Sequence, residues 1–257
     1  MTDNVVAVLA HRRYERILDT LRTRGPVEVR VFADLLRVSE ATVRRDLHRL
    51  ERDGLLNRVR GGAVLSDQAA APFAQLPTAE QPDRDSVAAH AADLVRDGDV
   101  LLLDIGTTVH RMSVQLHGRD VTVMTPSLAV YDELAADRAV ELILLGGVVR
   151  RSHRSMVGFL TEHALRQVHA QRLFLGASGI RPDGTVLETT VADVPVKQAM
   201  LAAADQVVLL VDQGKFPGHG IARVCGARDV DALVTTEGAD PRSLSTFREA
   251  GTAVILA

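Results

Sequence analysis

Residues 29–64 read VRVFADLLRVSEATVRRDLHRLERDGLLNRVRGGAV, and the spacing of their apolar side chains decides the architecture of the first part of the chain. Val31, Phe32, Leu35 and Leu36 recur at helical spacing, and Val43, Leu47 and Leu50 do so again after a tight turn at Arg37-Val38-Ser39. Ser39 suits the N-cap of the second helix, because its hydroxyl accepts a hydrogen bond from the N–H of Thr42 or its neighbour. At about 100° per residue, Leu47 and Leu50 fall within about 40° of Val43 and make one buried stripe. Ala41, Arg45 and His48 then lie on the opposite side, with Thr42 and Arg44 flanking them. A helix that buries Val-Leu-Leu and turns Thr, Arg, Arg and His outward fits the major groove of double-stranded DNA. There an arginine pairs bidentately with guanine or holds a phosphate.

Working outward, Ile17, Leu18 and Leu21 predict a preceding helix over about residues 11–23, closed by Gly25-Pro26. Downstream, Gly54-Leu55-Leu56 and Arg58–Val64 predict two short strands joined by a basic turn, a wing whose Arg58 and Arg60 lie on the DNA backbone. The charge supports this division. Residues 1–65 hold 13 arginines against 9 acidic side chains, whereas the whole chain has 30 basic and 33 acidic residues and a net charge of −3. Residues 66–82, SDQAAAPFAQLPTAEQP, carry three prolines among Ala, Gln and Ser without helical or strand periodicity, and read as a linker. The expected organisation is a DNA-binding domain over 10–65, that linker, and a second domain over 83–257.

The N-terminal pattern is specific. The run R-R-Y-E-R-I-L at residues 12–18, then V-S-E-A-T-V-R-R-D-L from Val38, followed by G-L-L, R-V and G-G-A-V, resembles the winged helix-turn-helix of DeoR-type bacterial transcriptional regulators. The chain departs from that pattern at Arg37, where Gly is common. A left-handed backbone there would cost an arginine about 1 kcal/mol.

After the linker the periodicity changes. Val100–Leu103, Val121–Met124, Leu142–Leu145, Leu173–Leu175, Val207–Val211, Leu233–Thr235 and Ala253–Ala257 are short aliphatic runs bounded by Gly, Asp or Pro. Helical stretches of about 9–12 residues separate most of them, the signature of an α/β domain with a mostly parallel sheet covered on both faces. Polar groups stand at the expected strand ends: Asp104-Ile105-Gly106-Thr107-Thr108, Thr125-Pro126-Ser127, Gly146-Gly147 with Arg150, Gly176-Ala177-Ser178-Gly179, and Asp212-Gln213-Gly214-Lys215-Phe216. In an open parallel sheet the carboxyl ends of the strands face a common crevice. Amides and hydroxyls at a helix start, as in Gly106-Thr107-Thr108, form a natural anion site.

In this order the motifs resemble the sensor domain of the same family, whose fold is similar to ribose-5-phosphate isomerase and whose effectors are phosphorylated sugars or sugar-like metabolites. The resemblance implies that Asp104, Gly106, Thr107 and Thr108 match its D-x-G-T-T, that Gly146, Gly147 and Arg150 match its G-G-x-x-R, and that Asp212, Lys215 and Phe216 match its D-x-x-K-F. Asp193 and Lys197 fall where an acid and a lysine four residues apart usually stand, and Thr125, Ser127 and Ser178 complete the expected effector-binding set. Pro126 stands where Asn is frequent, Ser178 where related isomerases carry Asp, and Asp193 is one methylene shorter than the usual Glu. Isomerisation needs a positioned carboxylate base and oxyanion stabilisation, so these departures favour a binding module over an enzyme. The reading is therefore a DNA-binding repressor of a sugar-utilisation operon, homodimeric or homotetrameric. The alternatives are an isomerase-type enzyme with an accessory DNA-binding domain and an activator built from the same parts.

Composition excludes other classes. No apolar run approaches the roughly 20 residues of a membrane span, and MTDNVVAVLAHRR lacks the layout of a secretory signal, so the cytoplasm is the expected location. One cysteine, Cys225, permits neither an internal disulfide nor a Cys-based zinc finger. Absent tryptophan and 3% aromatics argue against binding single strands by base stacking. The nine histidines show no metal-ligand spacing, His110 and His117 read as helix-surface residues, and no cofactor is implied. Of the 30 basic side chains only Lys197 and Lys215 are lysines, so where a lysine persists its compact ammonium is informative.

Overall fold

In a computed structural model, the structure describes residues 13, 14, 16–18, 20, 21, 24–52, 56–59, 61–65, 81–151 and 153–257. The chain divides into two compact units, Met1–Gln75 and Leu76–Ala257.

In the first unit the described residues among 13–24 are helical, and two further helices follow, Val29–Leu36 and Glu40–Arg52. Ile17, Leu21, Phe32, Val43, Leu47 and Leu50 are buried together in one core. Strand β1 (Val27–Glu28) pairs antiparallel with β3 (Gly62–Leu65), which pairs antiparallel with β2 (Leu56–Val59). The wing is thus shifted from the sequence expectation: Arg58 and Val59 belong to its first strand, and Val59 pairs with Gly62. Just before Gly62, Gly61 at φ 87° supplies a left-handed backbone that glycine adopts at no steric cost. Gly54, Leu55 and Arg60, and nearly all of the expected linker, lie outside the described residues. Pro82, the last residue of that expected linker, opens the helix Pro82–Ala92 at a position where its missing N–H costs nothing.

The second unit is built on a seven-stranded sheet in which every pairing is parallel. Its strands are β4 (Val100–Leu103), β5 (Val121–Thr125), β6 (Val140–Leu144), β9 (Ala170–Gly176), β12 (Ala204–Leu210), β14 (Ala232–Thr235) and β15 (Ala253–Leu256). The order is β15-β14-β12-β9-β4-β5-β6. Each of the seven aliphatic runs lies in one of these strands with its ends shifted by up to three residues, and Leu145, Val211 and Ala257 fall one residue beyond theirs. Alternate side chains enter two cores. Leu102, Leu173, Leu175, Val207 and Leu209 pack with residues of helices Phe159–Leu165, Val194–Ala202 and Pro241–Glu249. Leu101, Leu103, Phe174, Val208 and Leu210 pack with residues of Pro82–Ala92, Thr107–Val114 and Leu128–Leu134. The domain is therefore three layers, helix, sheet and helix.

Two small antiparallel elements had no signature in the sequence. The hairpin of β7 (Val148–Arg150) and β8 (Ser155–Val157) leaves Val148 and Val149 exposed, so it shows no alternation. The sheet β10 (Gly179–Ile180), β11 (Val186–Glu188) and β13 (Ala222–Cys225) uses strands of two to four residues, too short for a period. The described helices of this domain, 7 to 11 residues long, are also somewhat shorter than expected.

Strands β5 and β6 lie on one side of β4, and β9, β12, β14 and β15 on the other. The order therefore reverses between β4 and β9, and the crevice of an open parallel sheet forms at such a reversal, outside the carboxyl ends of the strands.

Candidate functional site

In the N-terminal unit, Ser39 caps the helix Glu40–Arg52: the N–H of Thr42 donates to Ser39 Oγ at 3.2 Å, and the two hydroxyls lie 2.9 Å apart. Thr42 is half-buried, whereas Ala41, Arg44, Arg45 and His48 are exposed on one side of the helix. Arg44 donates to Glu40 at 2.8 Å, and Arg45 has no ion pair among the described residues. The wing is tied to this helix. Arg58 donates its backbone N–H to Glu51 Oε1 at 3.1 Å and its guanidinium to His48 Nδ1 at 3.0 Å. Beneath the helix, Arg13 grips the buried Asp46 with two hydrogen bonds of 2.8 and 3.2 Å. Burial of both apolar stripe and acid leaves arginines as the dominant charge outside. Arg37 adopts φ 55°, ψ 45° where the helix Val29–Leu36 ends. The left-handed conformation that the family's glycine suits is thus present here on an arginine.

In the second unit the strand ends bring together a buried charged cluster. Lys197, from helix Val194–Ala202, donates to Asp104 Oδ2 at the end of β4 and to the carbonyl of Gly176 at the end of β9, the latter at 2.9 Å. Its ammonium also lies 3.4 Å from Glu188. The side chains of Lys197 and Asp104 are 3% and 0% exposed. Asp104 Oδ2 further accepts the N–H of Gly176 at 2.9 Å, while Asp104 Oδ1 is buried without a hydrogen-bond partner among the described residues. A Cβ on Gly176 would lie 3.5 Å from both Asp104 Oδ2 and the Cα of Gly106, so the two strand ends approach backbone to backbone. Ser178 donates its hydroxyl to Glu188, and Arg150 pairs with the buried Asp193.

The electrostatics follow from this packing. Burial alone would lower the Lys197 pKa, but Asp104 and Glu188 outweigh it and hold the ammonium charged. Burial likewise favours neutral Glu188, yet Lys197, Ser178 and the Thr189 N–H keep its pKa below the ordinary value. Asp193 is raised by burial against the opposing pull of Arg150, and His153, packed on Arg150, is pushed down to about 4 by burial and that guanidinium. Cys225 is buried, and that burial pushes its thiol up to about 12.

The loop after β12 supplies the other cation. Asp212 Oδ1 accepts the N–H of Gly214 at 2.9 Å and folds the turn that carries Lys215. Gly179 and Gly218 meet so closely that a Cβ on Gly218 would stand 2.2 Å from the Cα of Gly179, which seats this loop on β10. The Lys215 backbone N–H donates to the Asp212 carbonyl at 3.0 Å, but its ammonium makes neither a hydrogen bond nor an ion pair among the described residues, and burial lowers its pKa against the attraction of Asp212. Arg84 links the same loop, through Asp212, to Thr107 at the start of helix Thr107–Val114, whose first-turn N–H groups have no intrahelical acceptor.

Not every expected residue offers a free group. Thr125 donates its hydroxyl to the Leu103 carbonyl at 2.7 Å and accepts the N–H of Ser127, whose own hydroxyl caps helix Leu128–Leu134. Both are buried, and their chemistry is spent on the fold. Gly147 is required by packing, since a Cβ there would lie 2.0 Å from Thr161 Oγ1, which donates to the Gly146 carbonyl. Asp193 and Lys197 share the cluster, but the hydrogen bonds of Lys197 go to Asp104 and Gly176 and that of Asp193 comes from Arg150. Three residues of the cluster escaped the sequence reading. Glu188 had only the weak signal of an acid closing a buried strand; Arg84 and His153 had none. Arg84 donates to Asp212 at 2.9 Å and to Thr107 Oγ1 at 3.3 Å.

Among the described residues no group of His, Cys, Asp and Glu is arranged to hold a metal ion, and no helix is long and apolar enough to cross a membrane.

Two family models match the chain, a DeoR-like helix-turn-helix domain over residues 13–69 and a DeoR C terminal sensor domain over residues 80–237. A putative aga operon transcriptional repressor of Escherichia coli O157:H7 is 31% identical over 95% of this chain and 93% of its own. The lactose phosphotransferase system repressor of Lactococcus lactis is 30% identical over 93% and 95%. Among solved structures, ribose 5-phosphate isomerase A of Methanocaldococcus jannaschii superposes on 51% of this chain and 52% of its own, with a TM-score of 0.38 and 18% identity.

Proposed function

This chain belongs to the DeoR family of DNA-binding transcriptional regulators, and from that premise we propose that it represses a sugar-utilisation operon and is released by a phosphorylated sugar or related metabolite. Helix Glu40–Arg52 enters the major groove, with Arg44, Arg45 and His48 toward the bases and Arg58 and Arg60 of the wing on phosphates. A single winged helix spans only a few base pairs, so at least two copies act on one operator, as a homodimer or homotetramer. The protein works in the cytoplasm, where operator and metabolite meet.

The observation that carries the sensor reading is Lys215. A lysine in an arginine-rich chain stands partly buried with its ammonium unpaired among the described residues, three positions after Asp212, which Arg84 links to Thr107 at the start of helix Thr107–Val114. An ammonium and helix amides together suit a phosphate. Lys197, by contrast, is consumed internally and orders the floor of the crevice. Asp104 Oδ1, sealed with it and without a partner among the described residues, is an acceptor for a buried water.

The cluster does not favour catalysis. A general base works best with a pKa near the operating pH. Glu188 is instead held below its ordinary value, and Asp193 is committed to Arg150. Absence of ribose 5-phosphate turnover by the purified protein is the expected result, and turnover would establish the enzyme.

The central test is a thermal-shift screen of sugar phosphates, followed by operator release. A ligand at 100 times its Kd stabilises by about 2.7 kcal/mol. If no sugar phosphate shifts the melting temperature, the sensor reading fails. The position of the operator relative to the promoter distinguishes repressor from activator.

A further inference from the structure

The hairpin of β7 and β8 is closed on one side only. The N–H of Met156 donates to the Pro126 carbonyl at 2.8 Å, and the carbonyl of Arg154 accepts the N–H of Leu128 at 2.7 Å, so residues 126–128 cover the outer edge of β8. Among the described residues β7 pairs with β8 alone. Backbone groups of an antiparallel strand alternate between its two edges. Met156 directs its N–H away from β7, and Val149, its partner across the hairpin, therefore directs its own N–H and C=O away from β8, to the open edge.

The surface around that edge is apolar. Val148, Val149, Phe159 and Leu160 are 60%, 48%, 73% and 54% exposed. Of the described phenylalanines, Phe32, Phe174, Phe216 and Phe247 are buried and Phe159 alone is exposed. Strand and helix form one surface here, because Thr161 Oγ1 donates to the Gly146 carbonyl at 2.9 Å and a Cβ on Gly158 would lie 3.8 Å from Val148 Cγ2. Apolar side chains exposed singly need no cause, but a contiguous group beside an open strand edge is a template for another strand.

We propose that this edge is the self-association surface of the chain: β7 of one protomer pairs antiparallel with β7 of a second copy across a two-fold axis at Val149, and Phe159 and Leu160 of each copy cover the junction. This rests on the reading above that at least two copies act on one operator, and it names the surface that joins them. A two-fold axis sets the same edge against itself, and Val149 opposite Val149 exchanges both outward backbone groups. Centring the pair on Arg151 would instead set like charges face to face, and Gly147 is packed against Thr161 and Val157. The four apolar side chains expose roughly 200–400 Å² per copy. A standard interface buries about 800 Å² on each partner, a little over half of it apolar, so the patch supplies about half or more of the apolar area that a stable dimer needs.

The test is sedimentation velocity of the full-length protein over a concentration series, with thermal unfolding followed by circular dichroism as the control for folding. Phe159→Asp removes the aromatic anchor while placing an acid in the first turn of a helix, where it suits the positive end of the dipole. Val149→Pro removes the outward N–H alone, and an edge position whose N–H faces outward tolerates proline. Because the two-fold axis repeats each substitution, each variant raises the dissociation constant at least about hundredfold. Its mass falls to half that of the wild type, with an unchanged melting curve for the sensor unit. Val149→Cys supplies the converse result. The Cα atoms of a hydrogen-bonded antiparallel pair lie about 5.5 Å apart, within the span of a disulfide, so oxidation with diamide links two copies covalently. The native Cys225 is buried with its thiol pushed up to about 12 and does not compete.

Wild-type mass in Phe159→Asp or Val149→Pro is what a face covered by the chain's own first unit or by a different protein gives. That result, or a Val149→Cys that stays unlinked, overturns this surface and leaves the requirement for two copies standing. A wild type that is monomeric at every concentration overturns both.

Discussion

Lys197 and Asp104 stand 93 positions apart in the chain, yet the ammonium of one donates to the carboxylate of the other with both side chains shielded from water. The pair joins helix Val194–Ala202 to the end of β4 at the place where the strand order reverses. Its neighbours Gly176 and Glu188 complete a floor for the crevice. Such a pair adds little net stability over an apolar substitute, but removing one partner is expensive because the other charge is left buried.

Lys197→Met therefore destabilises the sensor unit by about 3–5 kcal/mol. The conservative Lys197→Arg also destabilises, by about 1–3 kcal/mol, because the larger planar head overpacks a closed site. This differs from the behaviour of a lysine facing the crevice. Urea unfolding followed by circular dichroism measures both, and wild-type stability of Lys197→Met would contradict the burial of this charge.

Lys215→Arg tests the ammonium at the crevice mouth. It preserves the charge but not the compact head, and at least about tenfold more sugar phosphate is needed for operator release, equivalent to about 1.4 kcal/mol. An unchanged release curve removes Lys215 from the phosphate site and leaves the Gly106-Thr107-Thr108 turn to hold it.

Arg44→Ala and Arg45→Ala each weaken operator binding by about 1–3 kcal/mol. Arg44 must first leave Glu40, to which it is bound at 2.8 Å, whereas Arg45 is unpaired among the described residues. Arg45→Ala is accordingly the costlier of the two. Fluorescence anisotropy at several salt concentrations separates base contacts, which alter specificity, from phosphate contacts, which alter the salt slope.

Arg37→Gly stabilises the N-terminal unit. The arginine sits at φ 55°, ψ 45° in an exposed helix-ending position, a conformation that costs a residue with a Cβ about 1 kcal/mol and suits glycine at a helix terminus. The melting temperature of this unit rises in the variant; a fall would show that the side chain contributes more than its backbone costs.

His117 gives a pH signature away from the crevice. Its two ring nitrogens lie 3.0 Å from Glu133 and 3.0 Å from Asp137, and those hydrogen bonds raise its pKa above 6.5 against a small opposing effect of burial. His110 also approaches Glu133, at 3.5 Å, but burial lowers it. A raised histidine contributes stability that is complete below pH 6.5 and lost as pH rises through the folded value. Histidine ring NMR should show a midpoint above 6.5 for His117, moving down in Glu133→Gln. A midpoint at or below 6.5 would contradict the pairing.

Much of this molecule follows from local pattern. The buried stripe of Val43, Leu47 and Leu50, the Ser39 cap and the seven aliphatic runs are set by the side-chain periods of helix and strand, which act within a few residues. The turns at Asp104–Thr108 and Asp212–Phe216 are legible for the same reason, because glycine, hydroxyl and acid at fixed short spacing are what those turns require. The departure at Arg37 was also visible, and the left-handed backbone it called into question is present.

Tertiary structure alone decided which of those polar residues face one another. Thr125 and Ser127 stand at a strand end like Asp104, yet their hydroxyls are absorbed by backbone groups within three residues or on the adjacent strand. Glu188 and Arg84 belong to no motif and enter the site only because β11 and the first turn of helix Pro82–Ala92 are folded against it. Arg84 meets Asp212 across 128 residues of chain. The sign and strength of a charge–charge contact depend on distance and burial, and neither is encoded at short range: a lysine on the page is a cation, and only the packing around it makes Lys197 a sealed strut and leaves Lys215 with an open hand.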